Sequence, residues 1–251
     1  MKARNLLGIV SLALAVTMTV AQAAESSPSK VIVVLADMSE STNKPEVRAK
    51  YLNSFRAILK ETTHGDAIVV GLITEKSAME LSQPIQEEFP QFKPKMDTKI
   101  WRNAELKKAD QELDIRKAAI LDTMDKVVHD SSRKIIRTSV LSSLQVAERI
   151  FENYSQPRRF LVIFSDMLED SDHYNFEKEK LTESRIGEII SKEKSANRIP
   201  GLKGVQVYVF GAFAPSLDQF YVAETFWMRY FKECGASLQK KDYGSPRFKF
   251  D

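Results

Sequence analysis

Side chains that carry oxygen atoms alternate along the five-residue segment Asp37-Met38-Ser39-Glu40-Ser41. Asp37, Ser39 and Ser41 would place one carboxylate and two hydroxyls along one side of the chain, because alternate residues of an extended segment point the same way. Hard cations such as Mg²⁺ take oxygen ligands and usually keep several waters. The segment therefore predicts a site for Mg²⁺, or for Mn²⁺ or Ca²⁺.

A second carboxylate follows another strand of the predicted sheet. Asp37 comes directly after the apolar run 31–36, and Asp166 comes after the segment 160–165. Ligands of open α/β sheets bind beyond the carboxyl ends of the strands, so we expect both aspartates at the same edge. Because serine hydroxyls are neutral, an ion held there would keep much of its positive charge and would attract an acidic group of a partner.

The elements that position these residues are predicted from the hydropathy pattern. Continuous apolar runs, which are typical of strands buried on both faces, lie at 31–36, 67–73, 160–164 and 205–210. Helical periodicity separates them. This order predicts a doubly wound, mostly parallel sheet flanked by helices on both faces. Weaker patterns predict an antiparallel edge strand over about 80–89 and a short last strand at Phe248 and Phe250.

A long connection over about 90–137 separates the second half of the chain from the first. Apolar residues recur at helical spacing over 103–130, and opposite charges such as Lys108 and Glu112 lie four residues apart. This pattern predicts one long amphipathic helix. We favour a packed crossover helix with a solvated face over a projecting arm that docks a partner.

At three places the sequence resembles von Willebrand factor A (vWA) domains. Residues 37–41 match the family's D-x-S-x-S signature, and Thr138 is similar to the threonine of its second metal loop. Ser165-Asp166 is similar to the S-D element that closes the family's fourth strand. The three places occur in the family's order, and the pattern of strands and helices fits across residues 30–251.

The resemblance implies a metal-ion-dependent adhesion site, which in this family usually holds Mg²⁺. Ser39, Ser41 and Thr138 would be hydroxyl ligands, and Asp37 and Asp166 would coordinate directly or through water. An open position on the metal would accept a carboxylate of a protein ligand.

Around this site we expect a partner-binding rim made of Glu40, Arg137, Glu169 and Asp170. The acidic run from Glu169 to Asp172 follows Asp166 and should lie at the rim of the same edge.

Several details depart from the family. The connection from Pro90 to Arg137 is longer than usual, and Arg137 beside the site could compete electrostatically with the metal. No glycine directly precedes Thr138, and Met167 stands where the family often has glycine.

Two other functions stay open on the sequence alone. Haloacid-dehalogenase-like phosphatases also use Mg²⁺ and an aspartate after the first buried strand, and Asp170 and Asp172 could mimic their late acidic pair. Those enzymes generally need a second acid two residues after the first, and this chain has Ser39 there. The third hypothesis is a metal-free structural subunit of a cell-envelope assembly, in which Ser39 and Ser41 would only cap a helix or a turn.

No catalytic residues are predicted. The sequence contains no G-x-S-x-G nucleophile turn and no glycine-rich phosphate loop before a helix. The three histidines lack the spacing of zinc ligands. The single cysteine, Cys234, excludes an internal disulfide and a thiolate metal cluster.

The N-terminal residues carry the pattern of an export signal. Two basic residues precede an apolar run over 6–20, and small residues at Ala21 and Ala23 suit a signal peptidase. We predict a signal peptide over 1–23, a single domain over 24–251 and a periplasmic or secreted location. An N-terminal membrane anchor is the alternative, and no later apolar stretch reaches membrane-spanning length.

Charge restricts the class of partner. Of 37 basic and 34 acidic residues, two basic ones lie within the predicted signal peptide, which leaves a net charge of about +1. A nearly balanced charge argues against a nucleic-acid partner held mainly through phosphates. A protein ligand is therefore the predicted partner.

Overall fold

A six-stranded sheet forms the centre of the part of the chain that the structure, a computed structural model, describes: residues 29–74, 82–95, 98–130 and 137–250. The strands are β1 (Lys30–Asp37), β2 (Ala67–Ile73), β3 (Ile85–Glu88), β4 (Arg158–Phe164), β5 (Val205–Phe210) and β6 (Ser237–Gly244). They lie side by side in the order β3-β2-β1-β4-β5-β6. β3 is antiparallel to β2, and every other neighbouring pair is parallel.

Helices cover both faces of this sheet. They are α1 (Pro45–Lys60), α2 (Lys99–His129), α3 (Val140–Glu152), α4 (Glu183–Ser195) and α5 (Leu217–Glu233). Alternate residues of β1 face opposite layers, with Val33 packed in the core that α3, α4 and α5 share and Val34 in the core of α1 and α2. Both faces of β1 are therefore covered, which explains its continuous apolar sequence. The predicted doubly wound α/β architecture is confirmed.

The strand order reverses between β1 and β4. The chain runs from β1 outward to β2 and β3 and then returns to place β4 on the other side of β1. In the register of this pair Ala36 lies opposite Phe164, so Asp37 and Ser165 leave the sheet next to each other. Sheets of this type bind ligands at such a reversal.

The long helix α2 is a packed crossover helix over part of its length. Leu113, Ile120 and Met124 are buried against the core that includes α1, as a packed crossover helix requires. At its N-terminal end Ile100 and Trp101 are 82% and 59% exposed. Among the described helices, none is both long enough and apolar enough to cross a membrane.

The last strand differs from its prediction. β6 is Ser237–Gly244, whereas Phe248 and Phe250, which we expected to form a strand, lie in an irregular segment and pack on the core. β6 pairs only with β5, and as an edge strand it carries mostly polar residues that hid it in the hydropathy pattern. The predicted antiparallel edge strand is confirmed as β3.

Three predictions fall partly or wholly outside the described residues. They are the signal peptide over 1–23, the start of the edge strand at residues 80 and 81, and residues 96, 97 and 131–136 of the connection over 90–137.

Candidate functional site

The carboxylate of Asp37 is the centre of the polar cluster at the end of β1. Asp37 is fully buried. Its Oδ1 accepts a hydrogen bond from the backbone N–H of Ser39 over 2.8 Å, and its Oδ2 accepts one from the Ser165 hydroxyl over 3.0 Å. The Thr138 hydroxyl lies 3.4 Å from Oδ1. Three segments of the chain therefore converge on one side chain.

The two serine hydroxyls of the β1 loop lie next to each other, and that of Ser41 reaches the second aspartate. Ser39 Oγ and Ser41 Oγ are 3.1 Å apart, and Ser41 Oγ donates to Asp166 Oδ2 over 2.7 Å. Neither serine caps α1, whose N-cap is Lys44. The hydroxyl that closes the turn belongs to Thr42, which donates to the backbone carbonyls of Asp37 and Ser39. A capping role therefore does not explain the two serines.

Asp166 is held by the loop that follows β4. Its Oδ1 accepts the backbone N–H of Leu168 over 3.0 Å. Met167 between them has a φ of +65°, in the left-handed region, and its side chain is fully buried. A methionine therefore takes a backbone conformation that glycine adopts more easily.

The loops before α3 and after β4 are tied together beside the site. Asp170 N–H donates to the Thr138 carbonyl over 2.8 Å. The Arg137 guanidinium pairs with Asp172, lies 3.5 Å from Asp170 and donates to the carbonyl of Ser171. Arg137 is thus neutralised by the acidic loop. The Arg137 and Asp170 side chains are partly exposed and Glu40 is exposed, as a rim requires.

Glu169 does not lie at the rim. Its side chain is 0% exposed, so the expectation that it contacts a partner is wrong. One carboxylate oxygen accepts the N–H of Leu141 over 3.0 Å, and the other accepts the Ser139 hydroxyl over 3.2 Å. The carboxylate therefore serves the free N–H groups at the start of α3. Burial raises the pKa of Glu169 to about 7.

The two aspartates are electrostatically unfavourable as a pair of free carboxylates. Burial, and then the charge of Asp37, raise the pKa of Asp166 to about 6. Burial also raises the pKa of Asp37, against the hydrogen bonds that lower it. Arg48, whose charge lowers the pKa of Asp37, contacts the backbone carbonyl of Asp37 and the sulfur of Met38 rather than a carboxylate.

A buried hydroxyl group near the aspartates also lacks a partner. Tyr51 is 1% exposed, and its hydroxyl makes no hydrogen bond to any described residue. Burial, and then the charges of Asp37 and Asp166, raise the pKa of Tyr51 well above its usual value. Unpartnered buried polar atoms are rare in native proteins. The Tyr51 hydroxyl is therefore an unexplained buried polar atom close enough to feel the charges of the two aspartates.

The donor set fits a hard divalent cation. Two carboxylates and the hydroxyls of Ser39, Ser41 and Thr138 are all oxygen donors, which suit Mg²⁺, Mn²⁺ or Ca²⁺ better than zinc. Nowhere in the described ranges do three or more His, Cys, Asp or Glu side chains gather as a metal cluster. A metal bound here would therefore depend on hydroxyl ligands.

Three residues of the site were not predicted as part of it. Ser165 was singled out as part of the S-D element but not as a partner of Asp37. Thr42 had no signal beyond its place after the D-x-S-x-S segment. Tyr51 belongs to the apolar face of α1, which indicates a buried ring. Only the three-dimensional arrangement brings its hydroxyl near the aspartates.

The strand order, the helical layers on both faces and the polar loops at the strand reversal define the vWA/Rossmann-like α/β fold. Among solved structures, the PilB minor pilin from Streptococcus sanguinis is similar with a TM-score of 0.52 and 11% identity, over 88% of this chain and 58% of that one. The SpRpn10 VWA domain aligns with a TM-score of 0.39 and 10% identity, over 89% of each chain.

A third similar structure is proximal thread matrix protein 1 from the mussel byssus, with its MIDAS motif occupied by zinc. Its TM-score is 0.42 and its identity 13%, over 78% of this chain, which spans only 39% of that protein. No protein-family model and no curated protein sequence matches the chain. At sequence identities of 10% to 13%, the similarity to these structures concerns the fold alone.

Proposed function

We propose that this chain is a protein-binding module that uses a divalent metal, Mg²⁺ or Mn²⁺ or Ca²⁺, at the reversal between β1 and β4. Asp37 and Asp166 would hold the ion together with the hydroxyls of Ser39, Ser41 and Thr138. The observation that carries the proposal is the convergence of a fully buried carboxylate, Asp37, and a partly buried one, Asp166, with three hydroxyls. Among the described residues, no cationic side chain pairs with either carboxylate.

The ion would supply a positive charge to which an acidic side chain of a partner can bind. Neighbouring residues of the chain would hold the two carboxylates in position. Ser165 and the Ser39 N–H orient Asp37 from behind, and the Leu168 N–H orients Asp166. Glu40 and Ser41 are exposed, whereas Asp37 is fully buried. A partner would therefore approach from the side of the loop that connects β1 to α1.

The proposal is tested by the thermal stability of the chain with and without Mg²⁺ or Mn²⁺. A ligand that binds only the folded state raises the unfolding temperature as its concentration exceeds the dissociation constant. We expect a rise for the wild type, a smaller one for Ser41→Ala and none for Asp37→Asn. Ser191→Ala, which removes an exposed hydroxyl from α4, is the matched control and should respond like the wild type.

The proposal contains no catalytic step. A phosphatase that uses Asp37 as nucleophile needs a general acid two residues later, and Ser39 occupies that position with its hydroxyl beside Ser41. We expect no hydrolysis of p-nitrophenyl phosphate with either metal. Turnover that disappears in Asp37→Ala would contradict this part of the proposal.

We further propose that the chain is exported to the periplasm or secreted, with cleavage after Ala23. The support is the sequence pattern of basic, apolar and small residues over 1–23. N-terminal sequencing of the protein recovered from the periplasm or the medium should begin at Ala24. Recovery of the uncleaved chain with the membrane would instead support the N-terminal anchor.

A further inference from the structure

Large apolar side chains that face solvent fall into two groups within the described ranges. One group lies on α2. The other comprises Phe213, Leu217 and Tyr221, which are 65%, 72% and 54% exposed. We call these three residues the apolar shoulder. Single exposed apolar residues are common on protein surfaces, but contiguous ones often mark an interaction site.

The apolar shoulder lies at the same edge of the sheet as the candidate metal site. β5 runs parallel to β4 and ends at Phe210, and α5 begins at Leu217. The shoulder therefore occupies the loop after β5 and the first turns of the next helix. The backbone N–H of Phe213 donates to the carbonyl of Asp166 over 3.1 Å. This hydrogen bond places Phe213 directly beside the second aspartate.

Two apolar residues of the first turns of α5 face outward. Leu217 and Tyr221 are four residues apart and are neighbours on one face of the helix. The core-facing side of α5 is formed by other residues, among them Phe226 and Trp227, which are fully buried. Leu217 and Tyr221 are therefore not needed to pack α5 on the sheet.

We propose that the apolar shoulder binds a large apolar side chain of the partner, next to the acidic side chain that the metal site receives. The inference rests on the proposed function and specifies the partner as a peptide segment in which an acidic residue is accompanied, a few residues away, by a large apolar one. Continuity with the site through the hydrogen bond between Phe213 and Asp166 supports this occupant. A charged group at the metal and an apolar contact beside it would together select the segment.

The exposed apolar group on α2 is the natural comparison. Ile100 and Trp101 lie at the N-terminal end of a helix of 31 residues, which is about 46 Å long at 1.5 Å per residue. Along α2, Asp110 pairs with His64, which precedes β2 at the edge of the sheet opposite the aspartates. The α2 group therefore lies far from the aspartates and should not affect a peptide bound at them.

The test uses a library of random peptides displayed on phage and selected against the full chain in the presence of Mn²⁺. We expect the enriched peptides to share an aspartate or glutamate and a large apolar residue at a fixed spacing. The same selection is made against the triple variant Phe213→Ser, Leu217→Ser and Tyr221→Ser, and against the control Ile100→Ser with Trp101→Ser. The thermal unfolding of each variant is compared with that of the wild type to confirm that it folds.

Loss of the apolar preference in the triple variant, with the acidic preference kept, supports the inference, provided that the α2 control selects like the wild type. A synthetic peptide from the selection should then bind the triple variant at least tenfold more weakly, and replacing its apolar residue by alanine should remove that difference. An acidic preference without an apolar one, or an unchanged apolar preference in the triple variant, overturns the inference and leaves the metal site intact. Selection without any acidic preference, together with no thermal response to Mn²⁺, overturns the proposed function and the inference with it.

Discussion

Replacing Asp166 by asparagine should make the metal-free chain more stable at neutral pH. The folded structure raises the pKa of Asp166 from 3.8 to about 6 through burial and the charge of Asp37. A carboxyl group whose pKa is higher in the folded state binds its proton more tightly there, so the folded state loses stability as the pH rises from about 4 to 6. One pKa unit corresponds to 1.36 kcal/mol, so the loss amounts to about 3 kcal/mol.

Asparagine cannot ionise, and its amide can keep the hydrogen bonds to Leu168 and Ser41. Urea unfolding in EDTA at a series of pH values between 4 and 7.5 should therefore show the free energies of unfolding of wild type and Asp166→Asn diverging with pH. At pH 7 the variant should be more stable by about 3 kcal/mol. The control Asp114→Asn, which removes an exposed carboxylate from α2, should follow the wild type.

Parallel pH profiles of wild type and Asp166→Asn would refute the reasoning, because they would mean that the folded site does not disfavour the charge of Asp166. A variant less stable than the wild type at pH 7 would refute it as well. Excess Mg²⁺ or Mn²⁺ should reverse the order at pH 7, because the cation pairs with the ionised carboxylate only in the wild type.

Substitutions at three positions, Glu169, Gly211 and Phe250, test the packing of the loops and the core by urea or thermal unfolding. Glu169→Gln should change the free energy of unfolding by less than about 1 kcal/mol, because its amide oxygen can still accept a hydrogen bond from the first turn of α3. Glu169→Ala should cost about 3 kcal/mol. Equal losses would contradict the helix-capping role. Gly211→Ala should cost about 1–3 kcal/mol, because φ is +95° and the new Cβ would lie 3.1 Å from Tyr51 Cε1. Its control is Gly187→Ala, which adds a methyl group in open space on α4 and should not destabilise the protein. Phe250→Ala should cost about 3–5 kcal/mol, because the ring is buried edge-on against two aromatic rings of the sheet, and a loss below about 1 kcal/mol would contradict that packing.

The central sheet could be predicted from the sequence because burial on both faces requires continuous apolar strands. β1, β2, β4 and β5 meet that requirement. β6 does not, since only one of its edges is paired and residues such as Lys240 and Lys241 face solvent. Phe248 and Phe250 pack on the core from an irregular segment. Their alternating aromatic side chains look the same in the sequence as those of a short strand.

Residues of the candidate site that follow directly after a strand could be predicted from the sequence. Residues whose surroundings depend on contacts between distant segments could not. Asp37 and Asp166 were found from the ends of their strands. Glu169 belongs to an acidic run that is typical of a solvated loop, and only the approach of α3 buries it. The Tyr51 hydroxyl could not be found, because a helical stripe indicates that a ring is buried and not what its polar atom faces.

The central claim is that this chain binds a divalent cation between Asp37 and Asp166. The most direct test titrates the metal-free protein with Mn²⁺ at pH 7.5 and measures the free Mn²⁺ by electron paramagnetic resonance. The account predicts one ion bound per chain, displaced by excess Mg²⁺, and lost in both Asp37→Asn and Asp166→Asn while Asp114→Asn binds normally. No bound ion in the wild type, or unchanged binding in either site variant, would contradict it.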